Sequence, residues 1–150
     1  MQVQSTFYRL GYLGLIPFIF GVYLVVANLN LMGHPGMFWF SSYSAIILSF
    51  LGGALWGRAI QIEAEGTSAK LLIMSNVVAI IAWGCLLLGN LQTAALALLT
   101  IGFAALLIVE YFGDQKVFTD VDKGYVKMRV NLTSLVIIAH LIVLPYSTGA

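Results

Sequence analysis

Four ionisable side chains of this 150-residue sequence stand in or at the edge of strongly apolar runs: Arg58, Glu110, Arg129 and His140. An ionisable group inside a lipid-spanning helix costs about 2.5–3.5 kcal/mol to insert and is a candidate functional position for that reason. Arg58 lies about one turn from the end of its run, Glu110 lies at the matching depth of another, and Arg129 opens a third. Either arginine is therefore expected to pair with Glu110. Such a pair can staple helix ends, or it can hold a proton or a substrate. His140 is the one titratable group well inside the last run. An imidazole hydrogen-bonded to a neighbouring helix fits there, and so does a quinone-like headgroup among aromatic rings. His34 stands beside Pro35 in a connecting segment, a poor axial position for haem.

The remaining chemistry is sparse. Cys85 is the single cysteine, which excludes an internal disulfide and a cysteine-based metal cluster. No Gly-rich phosphate loop, nucleophile elbow or His-Glu-x-x-His spacing occurs. Asp120-x-Asp122-x-Gly124 has the start of a calcium loop, but Asn131 stands where the closing glutamate belongs. No enzyme activity, cofactor or metal is expected. One non-ionisable pattern stands out: Ser41, Ala45, Ser49, Gly53 and Gly57 recur every four residues. A stripe of small residues lets another helix backbone approach closely, so it is expected to be a packing seam, within the chain or towards a partner.

The elements that position these residues follow from composition. Hydrophobic residues make up 61% of the chain, charged residues 9%, and the mean hydropathy is +0.98. A soluble domain carries about a quarter charged residues, so lipid is the expected solvent. A net charge of +1 gives no field for nucleic acid. About 20 apolar residues span about 30 Å of hydrocarbon as a helix. Five stretches qualify: 7–29, 38–60, 71–88, 91–112 and 130–146. Pro17 is expected to kink the first. The fifth carries the most polar side chains and is expected to be shielded by the others. Among these side chains, Ser49, Asn76, Thr100, Asn131, Thr133 and Ser134 are expected to bond to neighbouring helices or to their own carbonyls. The fold class is an all-α membrane protein: one five-helix transmembrane bundle over residues 1–150.

Charge orients the bundle. All seven Lys and Arg residues fall on the side of the amino terminus and of loops 61–70 and 113–129, and none on the other. By the positive-inside rule the amino terminus is cytoplasmic and the carboxyl terminus outside. Trp39 and Tyr146 are expected at the outer interface, and Tyr12, Trp56 and Tyr111 at the inner one. Residues 113–128 form the longest connecting segment and the expected docking surface.

The run Gly14-Leu15-Ile16-Pro17-Phe18, then Tyr43, then Ile47-Leu48-Ser49-Phe50-Leu51-Gly52-Gly53 with Trp56-Gly57, resembles the signature of a family of small membrane proteins. That family includes bacterial proteins and the mitochondrial transmembrane protein 69, and its function is unassigned. Tyr125, Arg129, Leu132 and Thr133 resemble its second motif. The chain departs from the pattern at Leu55, Gly124 and Met128. The resemblance covers nearly the whole chain and implies a five-helix protein of the bacterial inner (cytoplasmic) membrane, or of the mitochondrial inner membrane in a eukaryote.

Few spans, a long small-residue stripe and no continuous polar path together suggest a non-enzymatic accessory or assembly protein. Its expected partners are the lipid bilayer and a larger membrane complex, such as a respiratory or photosynthetic one, or further copies of itself. The alternative is a small transporter or channel subunit acting as a parallel homo-oligomer, with a path past His140 and Ser49 towards Arg58 and Glu110.

Overall fold

A computed structural model describes residues 2–61, 65–89, 91–112 and 123–148. The order is α1 (Gln2–Leu13), α2 (Ile16–Val26), β1 (Asn30–Leu31), β2 (His34–Pro35), α3 (Gly36–Ala59), α4 (Glu65–Leu87), α5 (Gln92–Phe112) and α6 (Lys123–Val143). A 3-10 turn, Leu144–Thr148, follows α6. Five segments are long and apolar enough to cross a membrane: Tyr8–Val26, Gly36–Ala59, Ser68–Leu87, Gln92–Tyr111 and Gly124–Thr148. The chain is thus a multi-pass helical bundle.

The first span is broken rather than kinked. Pro17 has no N–H for the Leu13 carbonyl, and its ring crowds that carbonyl. The helix accordingly stops at Leu13, and α2 starts with Pro17 in its first turn. Between them the Leu15 amide turns back to the Tyr12 carbonyl at 3.0 Å. At its far end α2 closes with Asn28 in the left-handed region (φ 51°). The Leu29 and Asn28 amides there bond to the Leu24 and Val25 carbonyls, at 2.9 and 3.1 Å, which satisfies the last turn's acceptors.

The segment joining α2 to α3 forms a two-stranded hairpin with Leu31 opposite His34. Its two-residue turn, Met32-Gly33, has positive φ at both positions, which matches the twist of paired strands. Gly36 then presses against α2: a Cβ there would lie 2.5 Å from the Leu24 carbonyl carbon.

The buried face of α3 holds Phe40, Ser44, Leu48, Gly52, Leu55 and Ala59. It packs against α2, α4 and α5, and α6 packs against α2 and α5. Gly52 marks the close approach to α4, since a Cβ there would sit 3.0 Å from the Ser75 carbonyl oxygen. Leu48 fills the space left by Gly102 on α5.

Two expected boundaries move, and the first is the start of α4, at Glu65 rather than at 71. The last helix starts at Lys123, not at 130, so residues 123–129 form its first two turns rather than a loop. Hydropathy hides this start because Lys123, Lys127 and Arg129 are basic, while backbone hydrogen bonding continues regardless. The rest of the expected docking loop, residues 113–122, lies outside the described residues, as does Asn90 in the tight joint between α4 and α5.

Candidate functional site

Residues of α6 spaced by three and four share one face, and that face is the buried one: Arg129, Thr133, Val136, His140 and Val143. Of the polar side chains expected to need shielding, Arg129, Thr133 and His140 receive it, whereas Asn131 and Ser134 are exposed. Arg129 at the start of α6 meets Glu110 near the end of α5. Nε donates to Oε2 at 2.9 Å and a terminal nitrogen donates to Oε1 at 3.0 Å. This is a two-pronged ion pair with Glu110 only 2% exposed. Guanidinium geometry matches a carboxylate in this fork, and the second bond offsets the cost of burial.

Arg58 does not join that pair. It donates to the Tyr125 hydroxyl, and its guanidinium carbon lies 4.7 Å from the centre of the Tyr125 ring. Tyr125 and Arg129 are one turn apart on α6, so the first two turns of that helix bind both α3 and α5. Placing Tyr125 in a loop concealed this role; with the helix extended to Lys123, the four-residue spacing of Tyr125, Arg129 and Thr133 makes it visible.

His140 is a separate station. It stands eleven residues beyond Arg129, about 16 Å along the helix. Its ring lies among Phe40, Phe103 and Phe18, with centroid separations of 4.8, 5.5 and 6.3 Å. Nδ1 lies 2.9 Å from the Val136 carbonyl oxygen. A carbonyl only accepts, so Nδ1 carries the hydrogen. Nε2 is buried without a hydrogen-bond partner among the described residues. His34 lies elsewhere, on the exposed hairpin, stacked on Phe38 at 4.3 Å. The candidate charged cluster thus resolves into one ion pair, one arginine–tyrosine contact and one aromatic-boxed histidine. Among the other polar groups in the spans, Ser44, Ser75, Asn76 and Thr100 bond to carbonyls three or four residues back.

The small-residue stripe divides. Four residues of an α-helix turn through about 400°, so a four-residue repeat winds about 40° further around the helix at each step. Ala45 is buried, Ser41 and Ser49 are half-buried, and Gly53 is exposed. A Cβ added at Gly53 or at Gly57 would meet nothing within 4 Å. The amino-terminal part of the stripe faces the chain's own core, whereas Gly53 faces away from it and Gly57 is half-buried. Trp56, 46% exposed, flanks the open half.

A cavity of about 520 Å³ opens between α1–α2, α3 and α6. Arg58, Tyr125 and Arg129 line one end of it and Thr133 lies further along α6; apolar residues such as Leu15, Phe18 and Phe103 line the rest. Leu10 and Phe50, both largely exposed, stand at its mouth. The break at Gly14-Leu15 forms part of its wall, and the sequence motif around Pro17 therefore shapes it. No group of His, Cys, Asp or Glu able to hold a metal occurs among the described residues.

Residues 3–145 match the family described as "protein of unknown function (DUF3429)", and the chain belongs to that family. No curated protein and no solved structure matches it.

Proposed function

We propose, with membership of this family as the premise, that the chain is a non-enzymatic accessory or assembly subunit that packs against a larger membrane complex through α3. The observation that carries this reading is the open half of the α3 stripe. Gly53 is exposed and Gly57 half-buried, and a Cβ at either would meet nothing within 4 Å among the described residues. In lipid, close backbone approach and dispersion contacts drive helix association, and small residues permit both. The ionisable residues support a structural role, since Arg129 closes on Glu110 and Arg58 on Tyr125.

The seven-to-zero distribution of Lys and Arg supports a cytoplasmic amino terminus. The motif resemblance to the family of transmembrane protein 69 supports a bacterial or mitochondrial inner membrane.

Extraction of the protein from its own membrane in mild detergent, followed by sizing and mass spectrometry, tests the proposal. The wild-type chain is expected in a defined larger complex. Gly53→Leu and Gly57→Leu, at positions where an added Cβ meets nothing within 4 Å among the described residues, are expected to release it from that complex with its own fold unchanged. A wild-type monomer with no companion would overturn the reading. A companion consisting only of further copies of the chain would replace it with the parallel homo-oligomer.

A further inference from the structure

The cavity between α1–α2, α3 and α6 plays no part in helix association, and its chemistry is segregated. We propose that it is a binding site for an anionic phospholipid, with one acyl chain along the apolar wall and the phosphate at Arg58 and Tyr125. Three observations carry the assignment, and none depends on the proposed accessory role.

The first is charge. Two arginines, a tyrosine and a threonine supply the polar lining, and no acidic side chain is among the described lining residues. Glu110, the partner of Arg129, lines a different and much smaller pocket. A guanidinium fork matches phosphate oxygens as well as it matches a carboxylate.

The second is depth. Arg58 is one residue from the end of α3, a 24-residue helix, about 36 Å long against a hydrocarbon core of about 30 Å. Its head therefore lies at headgroup level, and the apolar part of the cavity runs inward from there. A small soluble anion needs no such apolar extension.

The third is access. Leu10 is 63% exposed and Phe50 69% exposed at the mouth, so the cavity opens sideways on the helical surface that faces lipid. Its volume of about 520 Å³ lies inside the range of about 300–1,000 Å³ typical of ligand sites.

The full chain, stripped of lipid in detergent, is offered equal amounts of dioleoyl phosphatidylglycerol, dioleoyl phosphatidylcholine and oleic acid, and retained lipid is read by native mass spectrometry. Phosphatidylglycerol is expected to exceed phosphatidylcholine by about tenfold, because both carry the phosphodiester but choline adds a cation that the two arginines repel. Arg58→Gln should bring that ratio close to one, whereas Arg58→Lys should keep most of it. Ala54→Trp, which fills the cavity from the exposed face of α3, should lower retention of both phospholipids. Sizing and circular dichroism establish that each variant is folded; Ala54 is exposed, so its variant decides the matter if Arg58→Gln fails to fold. Equal retention of the two phospholipids, preference for oleic acid, or retention unaffected by Ala54→Trp would each overturn the proposal.

Discussion

The Tyr43 hydroxyl donates to the Gly14 carbonyl at 2.9 Å across 29 residues of sequence. Gly14 lies in the break that Pro17 imposes between α1 and α2, where the regular helical ladder is interrupted. Tyr43, projecting from α3, supplies a hydrogen bond to that interrupted backbone, and its ring meets Phe18 edge-on at 4.9 Å. Gly14, Pro17, Phe18 and Tyr43 thus form one joint: the proline breaks the helix, and the tyrosine and phenylalanine hold the break in place.

Replacing Tyr43 with Phe keeps the ring contact and removes only the donor. The expected cost is about 1 kcal/mol, the scale of one buried hydrogen bond, measurable as a lowered midpoint in detergent-induced unfolding. A midpoint equal to that of the wild type would mean that the Gly14 carbonyl finds another donor.

The Arg129–Glu110 pair permits a sharper comparison. Removing one partner leaves the other buried and uncompensated, so Arg129→Met or Glu110→Leu alone should cost about 3–5 kcal/mol. The double variant replaces the pair with apolar bulk and should recover most of that loss. A double-variant cycle of unfolding free energies checks this. Additive losses would show that the two residues act independently.

At His140, volume and polarity can be separated. His140→Ala empties an enclosed, ring-sized space among Phe18, Phe40 and Phe103 and should cost about 3 kcal/mol. His140→Phe keeps an aromatic ring, slightly larger than the imidazole, and removes both ring nitrogens; overpacking included, it should cost about 1–2 kcal/mol. Thermal unfolding in one detergent measures both. A Phe variant as unstable as the Ala variant would indicate that the imidazole nitrogens, rather than the packing, hold this region together.

What the sequence revealed and what it concealed divide along physical lines. Hydropathy reports lipid burial, so the spans were legible, and so was the shared depth of Glu110 with an arginine. Hydropathy does not report backbone hydrogen bonding, and the first two turns of α6 were lost because Lys123, Lys127 and Arg129 are basic. Tyr125 was legible as a motif residue, but its pairing with Arg58 was lost with them. The break before Pro17 was legible as a kink, but Tyr43 bonding to it was not, since no local rule links positions 29 residues apart. The cavity belongs to no single segment and becomes visible only when three helix faces are assembled.

The α3 stripe shows the same limit and yields the most direct test. Gly52 and Gly53 are adjacent in sequence and face different surroundings, because one residue turns an α-helix by about 100°. A Cβ at Gly52 would crowd the Ser75 carbonyl oxygen at 3.0 Å, and that oxygen belongs to backbone that cannot rotate away. Gly52→Ala should therefore push α3 from α4 and cost about 1–3 kcal/mol. At Gly53 a methyl meets nothing within 4 Å, and Ala is the better helix former by about 0.5–1 kcal/mol. Gly53→Ala should leave the isolated chain unchanged or slightly more stable. Unfolding midpoints of the two single variants in the same detergent compare them directly. Equal destabilisation would place Gly53 in a packed interface of the isolated chain and remove the open face on which the partner reading depends.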